Sequence, residues 1–289
     1  MNDNSFDYLS FQQSLKVRFD ELHAAAEELA EQYRDARPFP FIVIDDFLPG
    51  ALAAAVAADI PNQTSADWKK LPTEDQKGKH VLADESKLPV VIRALIQELN
   101  SGYFLRFLEK LTGIPDLIAD TKLVGGGVHM IERGGKLSVH VDFSHHPTNG
   151  LNRRLNFLLY LNQDWKEEYG GHFELWSRDI KTREQKILPI FNRCVVFSTS
   201  PISYHGHPEP LTCPEGITRN SIALYYFSKG RPEEEEGVHN TLFKSRPEDS
   251  FQLGNFVVRI ASSGIVRDIM PPVVYTFVRK LWNRKYTGA

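Results

Sequence analysis

The sequence predicts a mainly β protein with flanking helices, its core made of two packed antiparallel sheets in a jelly-roll-like sandwich or barrel. Three observations point there. At least seven short runs rich in β-branched and aromatic residues, separated by turn signals, lie between about residues 120 and 230. The strongest helical periodicity falls before residue 114. A chain of 289 residues with 42% hydrophobic content can fill one core, and nothing in its composition forces a second.

The elements follow in order. From Phe11 to Tyr33, apolar Leu15, Phe19, Leu22, Ala26 and Leu29 recur at three and four residues among charged ones, the pattern of an amphipathic helix, and Pro38 and Pro40 end it. FIVIDDF at 41–47 is a short apolar strand, and Pro49-Gly50 opens a helix through Ala57 that stops near Pro61. Residues 62–88, rich in Lys, Asp and Gln, read as a long loop or insertion. LPVVIRALIQELNSGYFLRFLEKLTG is helical in period, with Gly113 as its stop. Strands are expected around KLVGGGVHMIER, SVHVDF, NFLLYLN, GHFELWS, KILPI, RCVVFS and SIALYYF. Beyond Phe227, RPEEEEGVHNTLFKSRPEDS reads as a solvated charged linker. The segment from Phe256 to Tyr286, split by Pro271-Pro272, reads as two short helices docked on the domain.

Composition narrows the function. A net charge of −3 gives no general attraction to nucleic acid or an anionic membrane. No run of 18 apolar residues predicts a membrane span, and the first residues carry no signal-peptide pattern. Two cysteines, Cys194 and Cys213, do not make a disulfide scaffold, so a reducing cytoplasm is the expected setting.

The most informative motif is His140 and Asp142 in GKLSVHVDFSHH. Alternate residues of a strand share a face, which sets Ser138, His140, Asp142 and Ser144 opposite Leu137, Val139, Val141 and Phe143. An imidazole beside a carboxylate supplies two members of a 2-His-1-carboxylate facial triad, the ligand set of mononuclear Fe(II) oxygenases. With ten histidines in the chain, about one His-x-acid pair arises by chance, so context has to support it. FNRCVVFSTSPISYHGHPEPLTCPEGITRNSIALYYFS supplies that context as strand, loop and strand. His205 and His207 both stand at the strand-to-loop edge; spacing does not choose between them, and His205 is taken as third ligand. On the following strand Arg219 and Ser221 share a face, a cation beside a hydroxyl. A planar guanidinium suits the distal carboxylate of a dianionic 2-oxoacid.

The order His-x-Asp, a gap of roughly sixty residues, His, then Arg on the next strand resembles the Fe(II)/2-oxoglutarate-dependent dioxygenases, specifically their prolyl 4-hydroxylase-like branch. FIVIDDFLPGAL, LNFLLYLNQDW, YGGHFELW and RCVVFSTS resemble that branch too, so the likeness covers about residues 38–230. It implies a double-stranded β-helix core in 38–230, preceded by a helical extension over 1–37 and followed by the linker and tail over 231–289. It implies His140, Asp142 and His205 as iron ligands, with Arg219, Ser221 and Tyr160 of LYLN binding 2-oxoglutarate. His207 stands where the family often has an aliphatic residue. Related halogenases replace the carboxylate with a small residue; Asp142 is present, so the resemblance implies hydroxylation, with 2-oxoglutarate and O2 giving succinate. Ascorbate is expected as an accessory reductant. The substrate class stays open between a proline residue and a small metabolite, and the sequence says nothing of oligomeric state. A non-catalytic ligand-binding β-helix protein and a zinc hydrolase are the alternatives.

The other histidines near the motif, His129, His145, His146 and His172, read as polar lining or loop residues. Gly125 to Gly127 read as a bulge or close backbone approach, since no phosphate-loop residues follow, and Gly170-Gly171 as a turn into a strand.

Overall fold

A computed structural model of the chain describes residues 7–71, 73–232 and 237–249. Contacts group the chain to Lys244 into one compact unit and Ser245 onward into a second. In the second, Arg246 pairs with Asp249 at 2.7 Å. The helices expected over 256–286 lie outside the described residues.

The first unit begins with helices α1 (Tyr8–Ala24) and α2 (Ala26–Asp35), then strand β1 (Phe41–Ile44) and helix α3 (Gly50–Ala58). Strands β2 (Lys69–Leu71) and β3 (Lys79–Leu82) precede helices α4 (Val90–Leu99) and α5 (Gly102–Thr112). Strands β4 (Ile118–Ala119), β5 (Gly127–Ile131), β6 (Leu137–Val141), β7 (Asn152–Tyr160), β8 (Phe173–Trp176) and β9 (Arg183–Ile187) follow. Strands β10 (Cys194–Ser198), β11 (His205–His207), β12 (Arg219–Ser228) and β13 (Leu242–Phe243) complete the order.

All pairings are antiparallel. The large sheet runs β1-β10-β7-β12-β5-β3-β2, with β4 on β12, and the small sheet runs β13-β6-β11-β8-β9. The two-sheet prediction therefore stands, and strand pairing continues past residue 230 through β13.

The large sheet is covered on both faces, which explains its unbroken apolar runs. On β7, Leu155, Phe157 and Leu159 join the helices in one core, together with Phe104, Phe107, Val196 and Tyr226. The alternate residues Asn156, Leu158 and Tyr160 face a cavity of about 270 Å³. The same cavity is lined by His140, His205 and Phe173 of the small sheet. Helix caps follow the usual chemistry: Asp7 accepts from the Leu9 and Ser10 amides, Ser101 accepts from Phe104, and Gly113 at φ 70° stops α5.

Three sequence expectations need correction. The single helix over 11–33 is two, broken at Ala25, and the later helical run divides at Asn100-Ser101, where Ser101 caps α5. In both places the apolar spacing continues across the break, so periodicity cannot reveal it. Residues 62–88 are also more than a loop. They contain β2 and β3, which extend the large sheet from β5. Three- and four-residue strands are too short to show alternation.

Glycines at the sheet centre permit close backbone approach, as the sequence suggested. A Cβ on Gly127 would stand 2.3 Å from the Leu82 carbonyl oxygen, and one on Gly126 2.7 Å from that of Ala223. No described helix is long and apolar enough to cross a membrane.

Candidate metal centre and cosubstrate pocket

Strands β6 and β11 pair so that His140 and His205 are direct neighbours. Their rings lie 4.4 Å apart between centroids, and Phe243, Phe197 and Phe173 pack around them. Each imidazole is oriented the same way: Nδ1 of His140 meets the Ser138 carbonyl and Nδ1 of His205 that of Ser203, both at 2.8 Å. A carbonyl only accepts, so each Nδ1 carries the proton and each Nε2 presents a lone pair.

Those lone pairs converge on Asp142, just past the end of β6. His140 Nε2 is 3.6 Å from Oδ1 and His205 Nε2 is 3.4 Å from Oδ2. Two ligand atoms about 2.1 Å from a metal and at right angles stand roughly 3 Å apart, so this spacing suits adjacent positions on one ion. Among the described residues, these three form the one cluster able to hold a metal. His207, two residues on and across a register shift, is outside it.

Electrostatics suit ligation. Burial opposes ionisation of Asp142, but the Arg153 guanidinium outweighs it and holds the carboxyl well below the usual carboxylate range. Burial, reinforced by His140, pushes His205 down to about 3, so its imidazole is neutral at physiological pH. Asn156 Nδ2 donates to Asp142 Oδ2 at 2.7 Å, and Arg153 lies 3.1 Å from the same oxygen. The Arg153 guanidinium is sandwiched by Tyr225 at 3.4 Å and Phe143 at 4.4 Å from the ring centroids.

Arg153 and Asn156 were missed in the sequence because they stand three positions apart, an odd offset that places them on opposite faces of a regular strand. A bulge changes the parity. Leu155 pairs with Tyr226 and Arg153 with Phe227, leaving Arg154 as the extra residue. Arg153 thereby joins Asn156 on the cavity side.

The opposite wall of the cavity holds the other expected residues. Ser221 pairs with both Tyr160 and His129, which sets the three in one row. Arg219 Nε donates to the Gly171 carbonyl at 2.8 Å, and its guanidinium lies 4.9 Å from the Tyr160 ring centroid. The Tyr160 hydroxyl is fully buried beside the Arg219 guanidinium, which only donates, and its proton has no acceptor. A buried donor without a partner is costly, and a carboxylate arriving beside Arg219 would satisfy it. Burial also pushes the phenol's pKa up, which keeps it a donor.

Of the remaining histidines, His129 lines this cavity with Nε2 on the Gly125 carbonyl. His146 pairs with Asp120, His172 lies beside Glu167, and His145 meets Ser144 Oγ; none of these three lines the cavity.

Residues 126–245 match the 2OG-Fe(II) oxygenase superfamily, a stretch that contains the cluster and both walls of the pocket. The match covers less than half of the chain. That match and the His-Asp-His cluster both point to iron and 2-oxoglutarate as metal and cosubstrate. The chain is 33% identical over 79 residues, 26% of its length, to prolyl 3-hydroxylase OGFOD1 of Mus musculus. That match spans only 14% of the mouse protein.

Solved structures share the fold. A Trichoplax adhaerens prolyl hydroxylase in complex with a hypoxia inducible factor peptide fragment aligns at TM-score 0.53 and 18% identity, covering 73% of this chain and 92% of that one. A Pseudomonas putida prolyl-4-hydroxylase aligns at 0.50 and 19% identity, covering 69% and 98%. The two facing sheets of this chain are thus a double-stranded β-helix, as the sequence resemblance implied.

Proposed function

We propose that this chain is an Fe(II)- and 2-oxoglutarate-dependent dioxygenase that hydroxylates an unactivated C–H bond of a proline residue or a small metabolite. The observation that carries the reading is the convergence of two Nε2 lone pairs on one ionised, buried carboxylate. In this reading His140, Asp142 and His205 hold the metal, and Arg219, Ser221 and Tyr160 take the distal carboxylate of 2-oxoglutarate. The iron supplies the oxygen chemistry, coupling decarboxylation of 2-oxoglutarate to succinate with substrate oxidation.

The chain's own residues supply geometry. The carbonyls of Ser138 and Ser203 fix both imidazole tautomers, while Asn156 and Arg153 orient Asp142. Arg219, anchored at Gly171, offers a cation in a buried site where its attraction to a carboxylate is little screened. The apolar rings of Phe143, Phe173 and Phe197 exclude water around the reacting centre. Support for a peptidyl substrate is the peptide carried by the Trichoplax adhaerens neighbour. Free, buried Cys194 and Cys213 accord with a reducing, cytoplasmic setting.

Anaerobic addition of Fe(II) and 2-oxoglutarate is expected to give a weak visible charge-transfer band. Its absence from the wild type, or its full survival in Asp142→Ala combined with His205→Ala, overturns the assignment.

A further inference from the structure

We propose that Lys79 and His207 form a carboxylate-binding subsite for the substrate, so that the molecule oxidised carries an acidic group. This rests on the function proposed above and specifies its substrate class.

The first observation is a charge imbalance. The cavity is lined by four cations, Lys69, Lys79, Arg153 and Arg219, against one carboxylate, Asp142. Arg153 is matched by Asp142. Dianionic 2-oxoglutarate and Fe(II) cancel each other in net charge, which leaves positive charge unmatched once metal and cosubstrate are in place.

Lys79 concentrates that excess. It is 9% exposed, and its ammonium makes no hydrogen bond to any described residue. Burial pushes its pKa down to about 8, so it remains largely cationic at neutral pH while lacking the counter-ion a buried charge requires.

Sheet register separates this cation from the cosubstrate clamp. Lys79, Ile131 and Arg219 are direct neighbours across β3, β5 and β12, so Lys79 and Arg219 lie two strands apart, roughly 10 Å between backbones. Tyr160 flanks Arg219 on the other side, from β7. Arg219 and Tyr160 therefore face one anion, and Lys79 is placed for another.

His207 provides the second contact. It is 3% exposed, lines the cavity from the small sheet, and neither ring nitrogen has a hydrogen-bond partner. An imidazole ring offers an N–H and the Lys79 ammonium on the facing sheet offers charge, and both line the same cavity, so one carboxylate can take a donor from each. A buried polar ring with no protein partner is costly, and packing alone would be served better by an aliphatic side chain.

The carboxylate can belong to a small acid or to an acidic peptide side chain, and the test separates them. Protein loaded with Mn(II) and 2-oxoglutarate is titrated under argon with N-acetylproline and its primary amide, and with acetyl-Pro-Glu-amide and acetyl-Pro-Gln-amide. Manganese-induced broadening of the acetyl methyl resonance reads binding near the metal. One pair is expected to show an acid preference of about tenfold, the first pair indicating a small acid and the second a peptide. The preference is expected to vanish in Lys79→Met, persist in Lys79→Arg, and fall severalfold in His207→Phe. Equal broadening within both pairs, or an undiminished preference in Lys79→Met, overturns the subsite. So does a Lys79→Met protein whose main defect is a raised KM for 2-oxoglutarate, which would make Lys79 part of the cosubstrate clamp. The Fe(II)/2-oxoglutarate band of the wild type reports separately on the underlying function.

Discussion

Asn156 donates a 2.7 Å hydrogen bond to Asp142, and its own carbonyl oxygen is held by two nitrogens of Arg153, at 2.7 and 3.0 Å. Arg153 thus fixes which way the Asn156 amide faces, and Asn156 fixes the carboxylate. Asn156→Leu retains bulk but removes that donor. Metal affinity is expected to fall roughly 10- to 100-fold, as for other groups that orient ligands, with little change in KM for 2-oxoglutarate at saturating metal. An Fe(II) or Co(II) dissociation constant within twofold of wild type would refute the orienting role.

Arg153 carries a different load, because it is the cation that matches a buried carboxylate. Arg153→Met leaves Asp142 buried with neutral neighbours, a change expected to destabilise the metal-free protein by roughly 3–5 kcal/mol. A divalent ion supplies the missing positive charge, so Co(II) is expected to recover more stability in the variant than in the wild type. Urea midpoints with and without Co(II) test this. Equal metal-induced shifts in the two proteins would show that Arg153 acts through packing against Phe143 and Tyr225 alone.

How far the sequence discloses this site depends on whether the chain keeps its regular period. His140, Asp142, Arg219, Ser221 and Tyr160 sit in strands, or at a strand's end, where alternation holds, and the structure brings them to one cavity. His205 and His207 share a three-residue strand; pairing with His140, a tertiary fact, separates them. Arg153 was hidden by the bulge at Arg154, a register shift that no side-chain pattern announces. Lys79 was hidden more completely, because the four-residue strand that buries it is flanked by Lys, Asp and Gln and reads as solvated loop. The two-sheet core was legible from strands five or more residues long, and the helix breaks were not, since the same stripe of apolar residues packs on both sides of each.

The Tyr160 hydroxyl finds no acceptor in the protein and meets only the Arg219 guanidinium, so its loss removes little from the fold beyond a buried donor that is costly without cosubstrate. Tyr160→Phe is expected to keep or slightly raise the melting temperature of the apo protein. A hydrogen bond to a charged group is worth about 1.5–3 kcal/mol, which corresponds to a rise in KM for 2-oxoglutarate of about tenfold or more. Succinate release as a function of 2-oxoglutarate measures it. An unchanged KM would remove Tyr160 from the cosubstrate pocket.

Gly171 sets the position of Arg219 from outside the strand. Its φ is +69°, and a Cβ there would stand 2.6 Å from Leu211 Cδ2 and 2.9 Å from Arg219 Cδ. Gly171→Ala combines backbone strain of about 1–2 kcal/mol with displacement of the arginine side chain whose Nε bonds the same residue's carbonyl. The expected result is a lower melting temperature together with a raised KM for 2-oxoglutarate. A stability loss with KM unmoved would show that Leu211 absorbs the added methyl and that Arg219 keeps its place.

Lys79 allows a prediction whose sign is set by its pKa. Asp142 raises that pKa, while Arg153 and Arg219 lower it in addition to burial; His129 and His207, also on the cavity wall, are held neutral. The result is about 8, so the ammonium is present below that pH and lost above it. Preference for a carboxylate probe over its amide is therefore expected to be greatest near pH 7 and to decline as pH rises through 8. In Lys79→Arg the guanidinium stays charged over this range, and the preference is expected to remain flat to pH 9. A wild-type preference equally flat to pH 9 would show that the selecting charge belongs to Arg219 or Lys69 and not to Lys79.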